Sequence, residues 1–186
     1  MGRRSAEISD GHRAFIGRQK IFFTATAAPG GRVNVSPKGM DSLRVLAPGR
    51  VVWLSVTGSG NETAAHLAES DRMTLMFCSF EAEPLILRLY GQARAIHPAD
   101  AEWPRLIALF SPLPGARQLF DLHVDLVQTS CGMAVPFFDY RGERGALNAW
   151  AEKKGPEGIR AYQEEKNRVS LDGKPIPFDG SGKAGS

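Results

Sequence analysis

Two short stretches of the chain carry residue types able to hold an anion. The first is Val33-Asn34-Val35-Ser36-Pro37-Lys38-Gly39, an alternating run that ends in a hydroxyl, a Pro-fixed bend, an ammonium and a glycine. The Ser36 hydroxyl, the Lys38 ammonium and backbone N–H groups near Gly39 together suit a phosphate. Read alone, the same residues also make a surface turn with a solvated lysine. The second stretch is Ser55-Val56-Thr57-Gly58-Ser59-Gly60-Asn61-Glu62-Thr63, a glycine-rich loop running from a strand into a helix. Such a loop turns N–H groups outward, toward an anion. Asn61 is equally a plain helix cap, and Glu62 sets a carboxylate where a phosphate would sit. The loop lacks the lysine of a Walker A motif and the full glycine spacing of a dinucleotide fingerprint. A third stretch, Gln128-Thr129-Ser130-Cys131-Gly132, offers small polar residues and a glycine for close approach of a ligand. With no histidine near it in sequence, Cys131 reads as an ordinary thiol. His12, His66, His97 and His123 show no metal-ligand spacing, so no metal site is expected. No pair of carboxylates stands out for acid–base work, and the catalytic residues stay unassigned.

These stretches have to be positioned by the elements around them. Ser9 to Lys20 reads as a short amphipathic helix capped by Ser9 or Asp10. Ile21 to Ala27 is β-branched and aromatic, Pro29-Gly30-Gly31 turns the chain, and Val33 to Ser36 returns as the second arm of a hairpin that Pro37 and Gly39 end. Leu43 to Leu46, Arg50 to Val56, Met73 to Phe77, Leu85 to Ile96 and Leu119 to Gln128 read as further strands. Helices are expected over Glu62 to Glu69 and Ala99 to Phe110, and then over Arg144 to Lys154 and Pro156 to Lys166, the last two split at Gly155-Pro156. Trp53 and the phenylalanines lie mainly in strands and read as core. Turn signals every 8 to 12 residues or so favour a barrel or sandwich with flanking helices over a doubly wound sheet. One domain over residues 1–179 and a Gly/Ser-rich disordered tail over 180–186 are expected.

The bulk numbers exclude more than they assign. The 186 residues are 42% hydrophobic and 23% charged, an ordinary globular balance. A net charge of +3, with Lys and Arg scattered among acids, does not describe a nucleic-acid stripe. No apolar run approaches a membrane span, and the basic N-terminus has no apolar region behind it. Cys78 and Cys131 cannot build a disulfide framework. A cytoplasmic protein with neither nucleic acid nor membrane as partner is the expectation, and a local basic site for a small anion stays open.

Residues 15–96 carry an ordered set that resembles the pyridoxamine 5'-phosphate oxidase-like, FMN-binding split-barrel family. The set is Phe22-Phe23-Thr24-Ala25-Thr26, the stretch Val33 to Gly39, Val51-Val52-Trp53-Leu54 leading into Gly58 to Thr63, then Ala65-His66-Leu67, Ser70-Asp71-Arg72, Met73 to Phe77 and Ile86 to Gly91. Ser130-Cys131-Gly132, Val135-Pro136, Trp150, Lys153-Lys154-Gly155 and Glu165-Lys166-Asn167 look like an uncharacterised bacterial subgroup, so the resemblance runs over about residues 10–175. It implies a mainly β fold, a six-stranded antiparallel Greek-key split barrel with peripheral helices. It also implies a homodimer whose two FMN sites lie at the interface. Carried over by position, Asn34, Val35, Ser36, Pro37 and Lys38 approach the phosphate or ribityl chain. Ser55 and Thr57 line the flavin edge, and Gly60, Asn61, Glu62 and Thr63 reach the phosphate, with Ser130 and Cys131 also near the cofactor. Three departures stand out. Glu62-Thr63 occupy the place of an Arg-Lys pair, Ile86 stands near the place of a flavin-contacting Gln, and the C-terminal Arg and His pattern of the vitamin B6 enzyme is missing. The resemblance therefore implies an FMN-dependent oxidoreductase other than that enzyme. A non-catalytic flavin, deazaflavin or haem binder on the same fold is the alternative.

Overall fold

The structure is a computed structural model that describes residues 2–81 and 83–177; the tail expected at 180–186 and the boundary at 179 lie outside the described residues. Its elements run β1 (Arg4–Ser5), α1 (Asp10–Arg18), β2 (Phe22–Thr26), β3 (Asn34–Lys38), β4 (Leu43–Ala47), β5 (Arg50–Val56), α2 (Glu62–Leu67), β6 (Arg72–Cys78), β7 (Leu85–Ile96), α3 (Trp103–Ile107), β8 (Ala116–Cys131) and α4 (Ala146–Lys166). All pairings between strands are antiparallel, in the order β3-β2-β6-β7-β8-β5-β4, with β1 added to β8. The molecule is thus mainly β with flanking helices, as expected.

Eight strands stand where six were expected, and among the described residues no ladder joins β3 to β4 to close the path. Two of the eight explain themselves locally. The two-residue β1 pairs Arg4 with Gln128 and Ser5 with Val127, too short a piece to show any period. Between β3 and β4, Met40 and Asp41 take φ values of 64° and 51°, a left-handed pair that turns the chain and makes β4 a strand of its own. The turn is fixed by the Asp41 carboxylate, which accepts from the Arg44 guanidinium at 2.8 Å.

β5 is buried on both faces, which is why it reads as an unbroken apolar run rather than an alternating one. Val51 and Trp53 face the main core with Phe22, Leu75, Phe77, Leu87, Leu89 and Phe120. Val52 and Leu54 face a second cluster, which Leu106 and Phe110 close from the α3 side. Trp53 is the centre of the main core, 4.5 Å from the Phe120 ring and edge-on to Phe22 at 6.0 Å. β7 and β8 slip register between Tyr90 and Gly91; a Cβ on Gly91 would lie 1.8 Å from the His123 carbonyl oxygen.

Several local expectations hold. Ser9 caps α1 through a reciprocal pair with His12. α4 kinks at Gly155, whose φ of 66° separates the two helical segments at the expected place. Others shift. β3 runs through Pro37 to Lys38, which an edge strand tolerates because no inner ladder needs that N–H. The helix expected over 99–110 shrinks to α3, because the His97 N–H donates to the Asp100 carboxylate at 2.7 Å and spends the first residues in a turn.

Candidate functional site

On the edge strand β3 every second side chain points inward. Asn34, Ser36 and Lys38 stand opposite Thr26, Thr24 and Phe22 of β2, while Val35 and Pro37 face out, Val35 being 62% exposed. The Ser36 hydroxyl donates to Asn34 Oδ1 at 2.9 Å, and Asn34 Nδ2 donates to the Thr63 hydroxyl at 3.2 Å. That last bond joins the two stretches that the sequence marked separately. Thr63 sits buried in the first turn of α2 and brings the glycine-rich loop against β3.

The loop is held from β8 and α4. Asn61 stands at the N-cap of α2 as expected but makes no side-chain cap bond; its Oδ1 accepts from Gln118 Nε2 at 2.6 Å. The Thr57 hydroxyl donates to the Gly115 carbonyl at 2.8 Å and accepts from Gln163 Nε2 at 2.6 Å. Gly60 contributes its carbonyl, which accepts from Arg117 Nη1 at 3.2 Å. Glu62 is turned away toward backbone, its carboxylate accepting from the Leu171 N–H at 3.0 Å.

Two cations share this region. Lys38 Nζ lies 5.6 Å from the Trp53 ring centre, and burial, together with the nearby Arg117 charge, lowers its pKa to about 8. Arg117 is 7% exposed, and burial lowers its pKa to about 10. Its Nη1 donates to Asn167 Oδ1 at 2.7 Å and its Nη2 to the Ser55 hydroxyl at 3.2 Å. Among the described residues neither cation has a carboxylate partner. Three buried polar atoms in the same neighbourhood, Thr24 Oγ1, Trp53 Nε1 and Arg117 Nε, have no hydrogen-bond partner. A cluster rich in donors and poor in carboxylates suits a ligand carrying several acceptor oxygens.

Ser130 and Cys131 stand at the other end of β8. The Ser130 hydroxyl accepts from Arg88 Nη1 at 3.0 Å, and the exposed Cys131 pairs with Leu85 across the ladder. Ser36, Lys38, Ser55, Thr57, Asn61 and Thr63, by contrast, come together. Sequence reasoning missed Arg117, Gln118, Gln163 and Asn167, and placed Trp53 in the core alone. The one signal was the buried-strand setting of Arg117-Gln118, a polar pair directly before the apolar Leu119-Phe120.

Residues 8–131 match the family model described as pyridoxamine 5'-phosphate oxidase. The Aspergillus flavus pyridoxamine 5'-phosphate oxidase family protein ustO is 38% identical over 186 residues, spanning 90% of this chain and 75% of that protein. Among solved structures, HupZ of Group A Streptococcus aligns with a TM-score of 0.52 at 17% identity, over 64% of this chain and 91% of that one. HutZ, the haem storage protein of Vibrio cholerae, aligns at 0.50 and 19%, over 68% and 96%. At such identities the two structures share the fold.

Proposed function

The chain belongs to the pyridoxamine 5'-phosphate oxidase family, and from that premise we propose that it binds FMN in a homodimer and serves as a flavin-dependent oxidoreductase on a small molecule. The observation that carries this reading is the Asn34–Thr63 hydrogen bond, which gathers both anion-suited stretches into one place. Ser36 and Lys38 on one side and Ser55 and Thr57 on the other then offer hydroxyl and ammonium donors to a phosphate and a polyol chain. The unpartnered Trp53 Nε1 and Thr24 Oγ1 fit the same ligand, since each is a buried donor without an acceptor. Hydride chemistry is what FMN supplies when bound; the residues here bind it, orient it and hold its charge.

The dimer reading is supported by apolar side chains left on the outside of this edge. Val33 and Val35 at β3 are 69% and 62% exposed. A second copy seated on Val33 and Val35 would cover the outer face of β3, behind Ser36 and Lys38.

A visible absorption spectrum of the purified protein, as isolated and after added FMN and gel filtration, tests the reading. Retained flavin bands are expected. A colourless protein that also releases added FMN overturns it, and a Soret band in place of flavin bands moves the chain to haem handling.

A further inference from the structure

We propose that Arg117 and Lys38 form a binding site for a phosphate monoester dianion, and that Asn167 at the end of α4 is the residue that positions the guanidinium for it. The starting point is an imbalance. Lys38, over the Trp53 ring, and the 7% exposed Arg117 lie within electrostatic reach of each other, and among the described residues no carboxylate is paired to either. Native interiors pair their buried charges, so an unpaired couple of like sign marks a place where an anion belongs. A dianion matches two cations in charge. Its oxygens also match the free donors: the ammonium of Lys38 and the unpartnered Nε of Arg117.

Asn167 shows how the site keeps its charge. It is fully buried, its Oδ1 accepts from Arg117 Nη1 at 2.7 Å, and its Nδ2 donates to the Gly58 carbonyl at 3.0 Å. The Gly60 carbonyl and the Ser55 hydroxyl accept the other guanidinium bonds. Every partner of Arg117 is neutral. An amide at 167 fixes the guanidinium as a carboxylate would, yet leaves its full positive charge available to a ligand. Arg117 thereby supplies from β8 a cation that Glu62-Thr63 do not, and Glu62 is kept apart by its bond to Leu171. This deepens the flavin reading by naming the residues that take the phosphate, while inorganic phosphate carries the same group without a flavin and tests the site separately.

The deciding experiment compares wild type with Asn167→Asp, Lys38→Met and the surface control Lys154→Ala. Phosphate affinity is measured by isothermal titration calorimetry, and FMN affinity by fluorescence titration. Asn167→Asp keeps the size of the residue and the bond from Arg117, loses the donor to the Gly58 carbonyl, and hands Arg117 a counter-ion. It is expected to fold, with a melting temperature lowered by the lost Gly58 bond, while losing at least tenfold in affinity for both probes. A merely structural role for Asn167 would lower the melting temperature and leave the affinity of the folded variant untouched. Lys38→Met is expected to lose about tenfold as well, and keeps the inference testable if Asn167→Asp fails to fold; Lys154→Ala is expected to match wild type. Phosphate and FMN affinities equal to wild type in a folded Asn167→Asp or Lys38→Met protein overturn the inference and leave FMN binding itself standing. Phosphate binding that both substitutions weaken, in a protein that takes up no FMN, supports the inference and sinks the flavin reading. Wild type that binds neither probe overturns both.

Discussion

Lys38 illustrates what a half-buried ammonium does to the molecule that holds it. Its pKa falls from 10.5 to about 8, first through burial and then through the charge of Arg117. Between those two pH values the unfolded chain carries a proton at this residue that the folded chain has released. The contribution of Lys38 therefore makes the protein more stable as pH rises through that window, with a slope of at most about 1.4 kcal/mol per pH unit. Urea unfolding at pH 7.5 and 9.5 is expected to show this gain as a difference between wild type and Lys38→Met, the variant lacking the rise; parallel pH dependence in the two proteins would refute it. Lys38 and Ser36 were readable from the sequence because a hydroxyl, a proline, an ammonium and a glycine follow one another in a single short run. Arg117 was not, because its partners Ser55, Gly60 and Asn167 come from three other parts of the chain and no local pattern announces them.

Among the elements, β8 does the most work, pairing with β1, β5 and β7 along its 16 residues. It must bend to do so, and the slip opposite Gly91 is where it bends. The His123 carbonyl comes so close that only a hydrogen fits on that Cα. Gly91→Ala is expected to cost at least about 3 kcal/mol, since the clash is with backbone that no rotamer change relieves. A chemical denaturation midpoint within error of wild type would show that the two strands separate more easily than their geometry suggests. Strands with clean alternation, such as β7, were readable from their own residues, and so was the α4 kink at Gly155-Pro156. β1, the short α3 and the uncapped start of α2 were not, because pairing partners and side-chain bonds made elsewhere decide them.

The whole molecule is tied together by its last described residues. Ile176 is buried in the main core, Lys174 reaches Glu69 at 2.7 Å, and Asp172 holds the backbone and guanidinium of Arg32. This clamp leaves the outer side of β3 open, with Val35 at its centre. Sedimentation velocity is expected to find a dimer in wild type and a monomer in Val35→Glu, with the same thermal unfolding onset for the folded chain; a Val35→Glu protein that still sediments as a dimer places the contact elsewhere. No helix among the described residues is long and apolar enough to cross a membrane. The family could be recognised from motif order over residues 15–96, whereas the identity of the substrate has no counterpart in any local pattern. The clamp also sets an order of events during synthesis. A ribosome delivers β1 through β8 first, and the strands of the sheet can pair as they emerge. Asn167 and Ile176 follow only afterwards, so the guanidinium of Arg117 gains its mount when nearly all of the described chain has already left the exit tunnel. On the reading that Asn167 mounts Arg117, the site is completed only after the strands that frame it have been made.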